Sequence, residues 1–139
     1  MDRPSFDSVW INLALNLAER STCSRLKVGS VLVSLDNRKV LALGYNGNTR
    51  GLKNECDRPT EKGNCGCLHA ECGVVINNDN PRTVLSKLYV THLPCINCTK
   101  MIINMGGVQE IIYKTDYDYK ECFELLRQAN IIIRQFDET

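Results

Sequence analysis

LHAECGVVINNDNPRTVLSKLYVTHLPCINCTKMIINMGG, residues 68–107, is the stretch whose reading decides the fold. Its apolar spacing is helical from Leu68 to about Asn77, where Asn78-Asp79-Asn80-Pro81 ends the run. Lys87 to Thr91 reads as a strand. Cys95 to Met105 reads as a second helix, introduced by Pro94 and stopped by Gly106-Gly107.

On the N-terminal side, Phe6, Val9, Trp10, Leu13 and Leu17 recur at helical spacing. They predict a first helix from Ser5 to Glu19 with Ser5 as its N-cap. Lys27 to Leu35 is rich in β-branched residues and reads as a strand; Asp36-Asn37 supplies a turn, and Lys39 to Tyr45 returns as the hairpin partner. Asn46 to Cys67 has almost no apolar periodicity. A loop of that length inside a small domain is functional or tied down. On the C-terminal side, Glu110 to Tyr113 reads as a strand, Tyr119 to Gln128 as a helix and Ile131 to Arg134 as a last strand. A hairpin followed by alternating helices and strands predicts an α/β fold, with a mixed five-stranded sheet and helices packed on it.

Length and composition set the bounds. The 139 residues predict a single domain over 1–139, burying about two-thirds of its unfolded surface. Seventeen Lys+Arg against sixteen Asp+Glu leave a net charge of +1 with both signs dispersed. Such a field collects neither long nucleic acid nor anionic membrane. The apolar runs, such as Val31 to Val33, are too short to span a bilayer, and Met1-Asp2-Arg3-Pro4 leads into no signal-type segment. The expectation is a soluble cytoplasmic protein. Eight cysteines without a secretion signal point to metal ligation rather than disulfides.

The chemistry sits at two helix starts, His69-Ala70-Glu71 and Pro94-Cys95-x-x-Cys98. Cys95 and Cys98, three apart, face one side of their helix. Right-handed crossovers put both helices on one sheet face with neighbouring N-termini, so one imidazole and two thiolates converge. The helix dipoles favour the deprotonated thiols. Three protein ligands leave a position for water, whereas a structural zinc takes four. Glu71, two residues after His69, is placed to take the water's proton and pass it to a ring nitrogen and then to departing ammonia. The rival reading, a structural zinc knuckle, needs a fourth ligand and leaves Glu71 without a role. Cys23, Cys56, Cys65 and Cys67 read either as a closed four-cysteine zinc site pinning the long loop or as ordinary thiols; Cys65-x-Cys67 is tighter than usual chelate spacing. Cys72 and Cys122 read as small apolar helix residues, and His92 as a satisfied structural histidine, with a side chain pointing into the cleft as the alternative.

H-x-E followed by P-C-x-x-C is the zinc deaminase signature. The chain resembles the deoxycytidylate (dCMP) deaminase branch of the cytidine deaminase-like superfamily over nearly its whole length. The resemblance is carried by Arg20 to Gly29, Gly44-Tyr45-Asn46-Gly47 with Arg50-Gly51, His69-Ala70-Glu71, Tyr89 to Cys98 and Lys100 to Asn104. It implies a three-layer α/β/α sandwich, zinc, dCMP as substrate, dUMP as product, a homo-oligomer and regulation by deoxynucleoside triphosphates. By position it implies His69, Cys95 and Cys98 as zinc ligands and Glu71 as proton shuttle. It further implies the Ala70 N–H at the pyrimidine carbonyl, Asn46 at the deoxyribose and the Thr91 region at the amino group by main chain. Arg25 and Lys27 are expected at the 5′-phosphate because their charge flanks the first strand; solvated surface charge is the alternative. For Asn46 the alternative is a turn former.

Two positions depart from the family pattern. Gly73 stands where Asn is usual, implying close backbone packing or a changed pocket, and Thr49 stands where Pro is usual. The leading expectation is deamination of free dCMP. The alternatives are another cytosine or adenine compound (a nucleoside, a free base or a tRNA base) and an inactive zinc-stabilised binding module. A tRNA substrate calls for a basic surface, which a net +1 does not supply. An intact Glu71 and an open coordination position argue against the inactive module.

Overall fold

Alternation along the central strands sends one set of apolar side chains to each face of a sheet, and that sorting builds the domain. The computed structural model describes residues 2–62, 65–117 and 120–137. Its elements are α1 (Phe6–Ala18), β1 (Gly29–Ser34), β2 (Val40–Tyr45), α2 (Ala70–Asn77), β3 (Ser86–His92), α3 (Ile96–Met105), β4 (Val108–Thr115), α4 (Glu121–Gln128) and β5 (Ile132–Gln135). Val31 and Val33 of β1, Tyr89 of β3 and Ile112 of β4 pack with Ile11 and Ala14 of α1 on one face. Leu32, Leu88, Val90 and Ile111 pack on the other with Val74, Ile102 and Leu126, from α2, α3 and α4. The result is the expected three-layer α/β/α sandwich.

The strand order is β2-β1-β3-β4-β5. β1 pairs antiparallel with both β2 and β3, while β3–β4 and β4–β5 are parallel. β1 alone therefore runs against the other four. The carboxyl ends of β2 and β3 share one edge of the sheet, and the chain enters α2 and α3 from there. That edge is where ligands bind in open α/β sheets.

Ser5 caps α1 as expected, its hydroxyl accepting the Ser8 N–H at 3.1 Å. Tyr89 donates to Asp7 at 2.6 Å and Arg134 pairs with Asp7 at 2.8 Å, tying α1 to β3 and β5. Two boundaries moved because a side chain or bridge took the backbone groups. β1 starts at Gly29 rather than Lys27, since the Val28 N–H is held by the Asn46 side chain at 2.8 Å instead of by a strand. α2 starts at Ala70 rather than Leu68, because Leu68 is extended and pairs with Gly47. Of the expected helix Tyr119–Gln128, the part from Glu121 is helical and Tyr119 lies outside the described residues.

The two glycines at the centre of the fold are there for close approach. A Cβ on Gly44 would lie 2.1 Å from the Ala70 carbonyl oxygen, and one on Gly73 would lie 3.3 Å from the Gly44 Cα. Close backbone packing of α2 on β2 thus accounts for glycine at 73. Gly44→Ala should destabilise the protein by about 1–3 kcal/mol, as overpacking does. Urea denaturation of the purified variant measures it, and an unchanged midpoint would remove this contact from the account.

Candidate active site and metal centres

Both metal-binding segments are set at helix starts by extended residues. His69 occupies the N-cap of α2 (φ −74°, ψ 156°) and Cys95 the N-cap of α3 (φ −71°, ψ 169°). The Cys95 thiol accepts the Cys98 N–H at 3.4 Å, which turns both sulfurs to the same side. His69 Nδ1 lies 3.5 Å from Cys95 Sγ and 3.3 Å from Cys98 Sγ. The three donor atoms fall within 4.8 Å of one another.

The electrostatics suit a divalent cation. Hydrogen bonding from Cys98 and His69 draws the Cys95 thiol down to about 4. Hydrogen bonding to Cys95 lifts His69 to about 9. Cys98 is pushed well above the usual thiol range by its sulfur neighbours and burial, because a second thiolate beside Cys95 is costly. A divalent cation takes the place of these protons, which is the chemistry of a zinc site. Glu71 is 4% exposed, and its Oε1 has no hydrogen-bond partner among the described residues. Burial raises its carboxyl to about 7. An orphaned buried carboxylate oxygen is costly unless it serves a reacting group.

The same cleft touches a second cluster. Cys23 Sγ lies 3.6 Å from Cys56 and 3.8 Å from Cys65, and Cys56 lies 3.5 Å from Cys67. All four sulfurs fall within 4.8 Å of one another, and all eight cysteines of the chain are free thiols. The Ser24 hydroxyl and N–H draw the Cys56 thiol down to about 6. The four residues named from sequence therefore meet in space, despite the tight Cys65-x-Cys67 spacing.

The cleft is lined by Ala70 and Glu71 at its floor, by His69 and Cys95, and by Asn46, Leu26 and Val28 along one wall. Asn46 is buried and both arms of its amide are engaged, Oδ1 with the Val28 N–H and Nδ2 with the Leu26 carbonyl at 2.6 Å. It thus shapes the segment that forms the wall, and it faces the cleft as well. Arg25 lines the cleft; Lys27 does not. Leu26 and Val28 line the cleft, and Lys27 between them is exposed and outside that lining.

Thr91 is buried behind the cleft, its hydroxyl accepting the Gly29 N–H at 3.2 Å, and the lining at this edge comes from His92 and Leu93. His92 is bonded to the Thr91 hydroxyl at 2.9 Å and lines the cleft too. Tyr117, which meets the His92 ring edge-on at 6.3 Å, is a lining residue that sequence reading did not single out. Cys122 is fully buried in the core, as expected of a small apolar residue. Cys72 is only half-buried, and interaction with the neighbouring Cys98 draws its thiol down to about 6.

A three-layer sandwich with a Cys/Cys/His donor set at adjacent helix starts defines the cytidine deaminase-like class of zinc proteins. Residues 4–115 match the profile of the cytidine and deoxycytidylate deaminase zinc-binding region, and the chain belongs to that family. It is 35% identical over 148 residues to the deoxycytidylate deaminase of Saccharomyces cerevisiae, covering 99% of this chain and 46% of the relative. It is 30% identical to the deoxycytidylate deaminase of Mycobacterium phage D29, covering 81% and 97% respectively. The crystal structure of dCMP deaminase from cyanophage S-TIM5 in complex with dCMP and dUMP superposes with a TM-score of 0.82 at 29% identity, over 98% of this chain and 100% of that one. The chain spans just under half the length of the two yeast relatives it matches, 46% and 45%.

Metal analysis of the purified protein should return about two zinc ions per chain, with about one surviving in Cys56→Ser. A single zinc in fully loaded wild type would reduce the four-cysteine cluster to ordinary thiols.

Proposed function

We propose that this chain, as one deaminase domain over residues 1–139, hydrolyses dCMP to dUMP and ammonia with zinc held by His69, Cys95 and Cys98. The observation that carries the reading is the buried Glu71 carboxylate, with Oε1 unpartnered among the described residues, beside those three donor atoms in an accessible cleft. Zinc, when bound in a three-ligand site, brings the pKa of a water in the remaining position toward neutrality.

The rest falls to the chain's own groups. Glu71 Oε1 accepts a proton from the attacking water, delivers it to the pyrimidine ring nitrogen, and moves a second to the departing amine. Burial suits it to this work, because a carboxyl brought near 7 both takes and gives protons at neutral pH. Ala70 is the first residue of α2, so its N–H has no intrahelical acceptor and is available to the pyrimidine carbonyl. Asn46 stands at the deoxyribose. Arg25 takes the 5′-phosphate. Main-chain groups following Thr91, at His92 and Leu93, meet the exocyclic amino group.

The relatives named above as deoxycytidylate deaminases support this substrate, as does the S-TIM5 enzyme with its bound dCMP and dUMP. A homo-oligomer and a deoxynucleoside triphosphate regulator belong to the same reading. Exposed Leu68 and Ile76 beside the edge strand β2 support self-association. A cytoplasmic setting is supported by eight cysteines of which none forms a disulfide. Among the described residues, no helix is long and apolar enough to cross a membrane.

Two measurements test the proposal. Glu71→Ala should retain zinc and fold while turnover of dCMP falls by about 10²–10⁴-fold; near-normal turnover would sink the mechanism. In an ultraviolet assay, deoxycytidine should be poorer than dCMP by about 10²-fold in kcat/KM, and Arg25→Ala should raise KM for dCMP alone. Equal efficiency on the two would transfer the reading to a nucleoside.

A further inference from the structure

The segment Asn46 to Cys67 contains no helix and no strand among its described residues, apart from the single bridge at Gly47. It has few apolar side chains to fix it by packing, and the four cysteines join the middle and end of the loop to the turn after α1. Cys56, Cys65 and Cys67 belong to the loop, and Cys23 to the turn after α1. Three of the four, Cys23, Cys65 and Cys67, also line the cleft.

The positive charge of the cleft is carried on this same assembly. Arg25 follows Cys23 by two residues, and it is the one Lys or Arg among the described residues lining the cleft. Its Nη1 donates to the Pro59 carbonyl at 2.9 Å, and Pro59 lies inside the Cys56–Cys65 span. That span is closed on itself by the Arg58 N–H, donated to the Cys65 carbonyl at 2.8 Å. Lys62, in the same span, stands 5.4 Å from the centroid of the Tyr117 ring, which lines the cleft. Arg25 bonded to the loop by one guanidinium nitrogen retains further donors in a fixed fork, the geometry that suits a phosphate monoester.

We propose that the four-cysteine centre is a positioning device for phosphate recognition: metal held there sets Arg25 in the cleft wall and so determines the preference for a nucleotide over a nucleoside. The inference rests on the dCMP reading above and adds to it a role for a centre remote from the reacting atoms. A centre serving only as a staple would affect every ligand of the cleft alike.

The test is calorimetric titration of dUMP and of deoxyuridine into zinc-loaded wild type, Cys56→Ser, Arg25→Ala and the double variant. Cys56 is buried and does not line the cleft, so its replacement removes no ligand contact directly. Cys56→Ser should weaken dUMP by about tenfold or more and deoxyuridine by less than about twofold. Arg25→Ala should then cost little more in the Cys56→Ser background, the mark of two residues acting as one unit. Equal losses for the two ligands, or full additivity, would overturn the proposal.

Wild type binding dUMP and deoxyuridine equally would instead overturn the nucleotide reading, a result visible before any variant is made. Cadmium NMR of the metal-substituted wild type supplies a readout independent of how Cys56→Ser folds. dUMP should shift the resonance of the four-sulfur site and deoxyuridine should leave it in place; a resonance unmoved by dUMP would overturn the proposal.

Discussion

The first turn of α2 rests directly on the sheet, and the site depends on that contact. The Ser30 hydroxyl donates to the Ala70 carbonyl at 2.9 Å, and Gly44 on the neighbouring strand leaves no room for a side chain between β2 and the same carbonyl. With Ala70 fixed, His69 projects from just before the helix and Glu71 is buried within its first turn. The parallel run of β2 and β3 then brings Cys95 and Cys98 to the same edge. Moving α2 outward by the width of a methyl group would separate the imidazole from the thiols that it meets at 3.3 and 3.5 Å.

The cleft combines two kinds of stabilisation that need each other. At its floor a carboxylate is held in a place that disfavours its charge, a cost tolerated where a reacting group supplies the partner. Along its wall a loop with little packing of its own is gathered by four sulfurs. The net charge of the chain is only +1, so attraction for an anionic ligand cannot come from the overall field. It has to come from cations placed locally; Arg25 lines the cleft beside the loop, and Lys62 lies over the ring of Tyr117.

Much of this was legible in the sequence. Helical spacing and the hairpin turn located the elements, Cys95-x-x-Cys98 is a local signal, and the handedness of the crossovers brought His69 to it. What was not legible depended on contacts between distant segments. Leu68 reads as helical but is held extended by Gly47, and the start of β1 was displaced by the Asn46 amide. Arg25 and Lys27 are equivalent by charge, and only the lining of the cleft separates them. Tyr117 has no motif to mark it; it reaches the cleft through the path of the chain after β4. Cys72 reads as apolar from its helix position, yet it is only half-buried and lines a groove shared with Cys95 and Cys98 of the α3 start.

The proposed reaction requires the His69, Cys95 and Cys98 centre to stay open to water although a further thiol, Cys72, lines the groove beside it. Zinc-edge X-ray absorption on Cys56→Ser protein, loaded with one zinc, reads that coordination directly. The account predicts two sulfurs, one imidazole nitrogen and one further oxygen ligand that exchanges with solvent. Three sulfurs and an imidazole, with Cys72 closing the shell, would make the centre structural and contradict the account.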